Sequence, residues 1–246
     1  MSFAILPPAW RRVAPALALT LLGACSSLTD PLSPDALRAA RRPRTTTHAP
    51  ILFVHGWNAS ATTWTTMVGR FKKDGWTASE LATFSYNTAQ SNATTAGIIQ
   101  QKVDSILAAT GASRVEIVTH SMGALSARYY VDSLGGDAKV DALVSLGGPN
   151  HGTNTAYFCS QTACKEMQPG SAFLASLNID ETPGTPRYAT WWSPCDEVIN
   201  PQSSNPLSGA DNTQTACLKH SDLHENATVY SQVKSWVDRP ATVVVM

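Results

Sequence analysis

Charge is scarce in this 246-residue chain: Asp, Glu, Lys and Arg together make up 15% of it, and 18 basic residues balance 18 acidic ones. With no net field to draw it to phosphate backbones or acidic polymers, the chain is not expected to bind nucleic acid. No apolar run reaches the roughly 18 residues that a membrane-spanning helix needs. Cysteine is sparse, at five residues. There is no C-x-x-C pair, and no two histidines four apart stand on an expected helix, so neither a metal nor a cofactor is expected. What the chain does have is apolar mass. Hydrophobic residues make up 43%, seven of them Trp, enough to exclude a disordered chain and to fill the core of one large domain.

The N-terminus carries an export signal. Arg11 and Arg12 precede an apolar stretch from Val13 to Ala24 that is too short for a stable span and ends in small residues. Leu22-Gly-Ala-Cys25 followed by Ser26-Ser27 resembles the lipobox of bacterial lipoproteins, in which the cysteine becomes the lipidated first residue. That resemblance implies a signal peptide over residues 1–24, lipidation of Cys25 and anchoring to an outer membrane or cell surface. Ordinary cleavage and secretion, with Cys25 incidental, is the alternative. Residues 25–49, with Pro31, Pro34, Pro43 and the cluster Arg38, Arg41, Arg42 and Arg44, read as a tether, leaving 50–246 as the folded domain. From Thr45 onward acidic residues exceed basic ones by four, which favours solubility.

Setting Cys25 aside leaves Cys159, Cys164, Cys195 and Cys217, an even set that suits an oxidising compartment. Four cysteines allow three pairings. The favoured one joins Cys159 to Cys164 and Cys195 to Cys217.

Beyond the tether the pattern is that of an α/β fold with a mainly parallel sheet flanked by helices. Ile51 to His55, between Pro50 and Gly56, is a continuous apolar run like a buried parallel strand, Val140 to Leu146 is closed by Gly147-Gly-Pro149, and Val115 to Thr119 reads as a strand between them. Helical spacing runs from Thr94 to Ala109 and from about Met122 to Leu134. Arg187 to Trp192 and Thr215 to Leu218 read as further strands, and Ala227 to Val237 as the last helix. Ligands bind such sheets at the carboxyl ends of the strands.

At that edge stands Thr119-His-Ser-Met-Gly123. A serine between a buried strand and a helix is forced into a tight turn, which exposes its hydroxyl beside the first N–H groups of the helix. The motif departs from G-x-S-x-G only at Thr119, a β-branched residue that fits if its neighbours make room. With Ile51-Leu-Phe-Val-His-Gly-Trp57, it resembles the α/β-hydrolases of the small bacterial lipase and esterase group, the class 2 lipases. The resemblance extends from Pro50 to about Val237.

That resemblance implies Ser121 as nucleophile, with the backbone N–H groups of Trp57 and Met122 as oxyanion donors. His55 and His120 read as structural. The acid is expected after the strand ending at Trp192, where Asp196 falls and Glu197 is the nearest substitute. Two histidines compete for the base, His220 and His224. The match of His224 to the family's terminal motif, eight residues ahead of Gln232-Val233, selects His224 and leaves His220 to cap the preceding strand. A Cys195–Cys217 bridge would then tie the acid loop to the base loop. His151 is expected to shape the glycine-rich loop after Leu146. Trp57 and Trp192 are expected to line the substrate site, with Trp191 in the core, and residues 153–188 to border or cover the cleft. The function implied is hydrolysis of carboxylic esters, acylglycerols above all, by a monomer. A polyester depolymerase and a non-catalytic surface lipoprotein of the same fold are the alternatives.

Overall fold

A computed structural model describes residues 48–238 of the chain. The signal peptide, Cys25 and nearly all of the tether lie outside the described residues. Six parallel strands form one sheet: β1 (Ile51–Val54), β2 (Leu81–Thr83), β3 (Val115–His120), β4 (Val140–Leu146), β5 (Arg187–Trp192) and β6 (Asp211–Gln214), in the order β2-β1-β3-β4-β5-β6. The chain steps outward from β1 to β2 and then returns to the other side of β1 for β3. The order therefore reverses between β1 and β3, and a crevice opens above their carboxyl ends. Val54 pairs with Thr119 and His120 with Leu146, so the turns after β1, β3 and β4 emerge at one level.

Strand alternation sorts the core into two layers. Ile51 and Phe53 face a cluster with Trp64, Val144 and Trp191, packed under α1 (Thr65–Lys73) and α6 (Ala227–Val237). Leu52 and Val54 face Ile99, Val103 and Tyr130 on the opposite helices, α2 (Asn92–Thr110) and α3 (Gly123–Ser133). Helix α2 starts where Ser91 accepts from Ala93 N and stops at Gly111, which adopts a left-handed φ of +74°. Helix α6 covers the expected range and is capped by Asn226, whose side chain accepts from Thr228 and Val229 N.

The segment beyond β4 carries two short helices, α4 (Thr162–Glu166) and α5 (Ala172–Leu177), the second of which packs on α3 through Leu174 and Leu177. Two anchors fix it. The Arg128 guanidinium, almost fully enclosed, donates to the carbonyls of Leu177 and Glu181 and to Asn178 Oδ1. The Glu166 carboxylate accepts from Ser91 Oγ, Asn92 N and Asn92 Nδ2, and so closes the first turn of α2. Both expected disulfides are present, Cys159–Cys164 and Cys195–Cys217.

One strand is displaced from its expected place. The last edge strand is 211–214, not Thr215 to Leu218. The latter stretch is a bridge: Thr215 N donates to Trp192 O, Cys217 is bonded to Cys195, and Ser193 Oγ both donates to Leu218 O and accepts from Leu218 N. Helix α1 and strand β2 are additional to the elements expected from the sequence.

Candidate active site

Ser121 sits at the tip of the β3–α3 turn with φ +55°, a left-handed backbone for a residue that carries a Cβ. Its neighbours leave the chain little alternative. A Cβ on Gly123 would lie 2.6 Å from the carbonyl oxygens of Val54 and His55, and one on Gly56 would lie 2.7 Å from Ser121 Cβ. These two glycines let the β1 turn press against the serine turn. Thr119, which stands where the motif more often has glycine, is fully buried and donates from its hydroxyl to Val144 O at 2.8 Å on the adjacent strand. Ser121 N itself donates to Leu146 O. No acceptor among the described residues takes the N–H of Trp57 or of Met122.

Asp196, wholly buried after β5, accepts three hydrogen bonds. Oδ1 takes Val198 N at 2.9 Å and Ile199 N at 2.8 Å, and Oδ2 takes His220 Nδ1 at 2.8 Å. Because the carboxylate accepts, His220 carries its proton on Nδ1 and its lone pair on Nε2. The ring rests on Gly147, where an added Cβ would lie 3.2 Å from the imidazole and where φ is +59°. His220 N donates to Glu197 Oε2, and His220 O accepts from His120 Nε2.

His224, expected to pair with the acid, is not the histidine beside it. Asp196 is bonded to His220, and His224 makes no such contact. The bridge from Cys195 to Cys217 and the Ser193–Leu218 bonds deliver residue 220 to the carboxylate, and the single turn His220–Asp222 then carries residue 224 away from it. His224 packs against Trp64 and edge-on to His120, with Nδ1 buried and unpartnered. Burial holds the pKa values of both His224 and His120 below the ordinary imidazole value. His55 is buried too, donates from Nδ1 to Gly56 O and stacks on Tyr86. His151 bonds Ser204 O and Glu181 across the loop after β4.

A cavity of about 580 Å³ opens at this point, lined by Ser121, His220, His224 and Trp57 and by apolar side chains of 156–167 and 198–199. Trp57 projects into its rim and donates from Nε1 to Gln161 Oε1. Trp192 is not part of the lining, which corrects the second expected substrate contact. It stands at the end of β5, where the bridge 215–218 folds beside it. Trp191 is in the core, donating to Gln232 Oε1. Among the described residues no cluster of His, Cys, Asp or Glu is arranged as a metal centre, and no helix is long and apolar enough to cross a membrane.

The model of the family Lipase (class 2) matches residues 48–237, and the chain belongs to that family. It is a carboxylic ester hydrolase with an α/β-hydrolase fold. Solved structures share the fold at low identity. The mature Bacillus licheniformis lipase BlEst2 superposes with a TM-score of 0.70 at 17% identity, over 81% of this chain and 95% of that one. Aspergillus fumigatus lipase B gives 0.67 at 16%, over 94% and 64% respectively. A monoacylglycerol lipase from Paleococcus ferrophilus gives 0.57 at 10%, over 77% and 95%.

Sequence reasoning missed the contact of His220 with Asp196, although a signal for it was there. A residue three positions beyond a cysteine bridged to the neighbour of the acid is held near that acid.

Proposed function

We propose that Ser121, His220 and Asp196 form a catalytic triad that hydrolyses acylglycerols through an acyl-enzyme. The observation that carries this reading is the buried Asp196 carboxylate bonded to His220 Nδ1, with the imidazole lining the same cavity as a serine held at positive φ. His220 Nε2 takes the Ser121 proton as Oγ attacks the ester carbonyl. Negative charge gathers on the carbonyl oxygen, facing the N–H groups of Trp57 and Met122, each such donor being worth roughly 3 kcal/mol in the transition state. The tetrahedral intermediate collapses, the alcohol departs with the proton from His220, and water repeats the sequence to free the acid. The apolar lining contributed by Ala156, Met167 and Ile199 suits an acyl chain.

Export is part of the proposal, supported by the two disulfides, with Cys25 as the lipid anchor. Labelling by an alkyl phosphonate, abolished in Ser121→Ala and in His220→Ala, tests the triad. Retained labelling in His220→Ala together with its loss in His224→Ala would refute the assignment. Release of fatty acid from acylglycerols, compared with release of soluble acid from a polyester film, tests the substrate. Incorporation of labelled palmitate, lost in Cys25→Ser, tests the anchor.

A further inference from the structure

The cavity has two chemically different walls. On one side Ala156, Phe158 and Met167 come together with Val198 and Ile199, and the two stretches are stitched into one surface by Thr153 and Thr155, whose hydroxyls donate to Val198 O at 2.7 and 2.8 Å. Thr153, Thr155 and Glu197 reach the cavity from the same stretches, and the apolar side chains beside them suit hydrocarbon. On the other side Asn58 and Thr63, from the turn after β1, stand with Ser221 and His224 from the base loop. The contact of His224 with Trp64, the neighbour of Thr63, places these two stretches side by side.

Within the polar wall His224 is anomalous. It is 9% exposed, and neither Asp196 nor any other acid bonds it. Its Nδ1 is shut into the protein without a partner, so Nε2 is the nitrogen left to meet a ligand in the cavity. Burial keeps the ring neutral. A neutral imidazole nitrogen is a donor in one tautomer and an acceptor in the other, and a hydroxyl complements either. A buried polar group that finds a partner only in the substrate discriminates strongly against substrates lacking it.

We propose that His224 is a specificity-determining residue that hydrogen-bonds a free hydroxyl on the alcohol portion of the ester, so that hydroxylated leaving groups, such as the glycerol of a partial glyceride, are preferred to plain alkyl alcohols. The inference rests on the triad reading above, because it needs the acyl chain on the apolar wall and the alcohol on the polar one. It assigns a use to the second histidine of the base loop, which the hydrolytic step itself does not require.

The test uses two esters with the same acyl group, glycerol 1-butanoate and propyl butanoate, and compares the ratio of their kcat/KM values in the wild type, His224→Leu and His224→Gln. The expected result is a wild-type ratio favouring the glycerol ester that falls by about five- to tenfold in the Leu variant, the size of one lost hydrogen bond. Turnover of the propyl ester should stay within about twofold, and the Gln variant, which keeps a donor and an acceptor, should retain part of the preference. Phosphonate labelling of Ser121 at the wild-type rate verifies that each variant is folded. A ratio unmoved in both variants, with ester turnover intact, overturns this inference and leaves the triad standing. A loss of a thousandfold or more on both esters in both variants would make His224 the base and overturn the triad reading itself.

Discussion

At the nucleophile corner the backbone dictates the geometry: the turn after β1 and the turn after β3 approach so closely that Gly56 and Gly123 admit no side chain, and Ser121 is driven to positive φ. On the base loop no such crowding acts along the chain. Residues 215–224 contain little regular structure, and their course is set by a covalent bridge to Cys195 and by the hydroxyl of Ser193, which grips Leu218 from both sides. One half of the machinery is thus fixed by contacts between strand ends that the fold brings together in any case. The other half depends on a few long-range ties, and those ties determine which of two histidines reaches the acid.

The largest expected effect separates those histidines. His220→Ala and Ser121→Ala should each lower kcat by about 10⁴-fold or more, the loss typical of triad members, whereas His224→Ala should fall far short of it. Equal losses at positions 220 and 224 in steady-state assays would dissolve the distinction between the two halves. Next comes the corner. A methyl group on Gly123 meets two backbone oxygens that cannot rotate away, so Gly123→Ala should cost on the order of 3 kcal/mol, read from urea denaturation.

Replacing Cys195 and Cys217 together by Ala should cost about 2 kcal/mol and should also depress kcat, since the tie brings His220 to Asp196. Removing Cys159 and Cys164, which close a loop of separation 5 against 22, should cost less and leave kcat nearly unchanged. Ser193→Ala should cost about 1 kcal/mol for the bonds to Leu218.

The smallest effect concerns pH. His120 and His224 have folded-state pKa values below the ordinary 6.5, so the unfolded chain binds more protons than the native one once the pH drops under that value. Stability should be level above about 6.5 on their account and fall as the pH is lowered further. His224→Leu should make the acid side of the curve shallower. An unchanged slope in thermal melts across that range would show that the histidines meeting in the cavity wall do not act as an acid-sensitive joint.

The same division decides what could be read before any coordinates. Strands β3, β4 and β5 announce themselves as continuous buried runs, and helices α2 and α6 by their periodic burial and capped ends. The serine turn was legible because five consecutive residues, Thr119 to Gly123, carry its motif, although the crowding that shapes it comes from the turn after β1. Asp196 was legible from its place just past a strand end. His220 was not, because choosing between histidines four apart depends on a tie to residue 195, and local pattern carries no account of such a tie. Trp192 was misplaced for a related reason: alternation assigns it a face of the sheet, and the bridge 215–218 occupies the ground beside it. Strand β2, only three half-exposed residues, is paired into the sheet by β1 rather than by a preference of its own.

The carboxylate of Glu166 has a bearing on how substrate gets in. It belongs to the segment that borders the cavity, yet it closes the first turn of the 19-residue helix α2, and Asn92 in that turn accepts in turn from Ser126 on the helix that follows the nucleophile. Swinging this segment outward would strip three donors of their anion and slacken the support behind Ser121 at the moment of entry. A hinge there would work against the reaction it was meant to admit, and the architecture favours a doorway that stands permanently ajar.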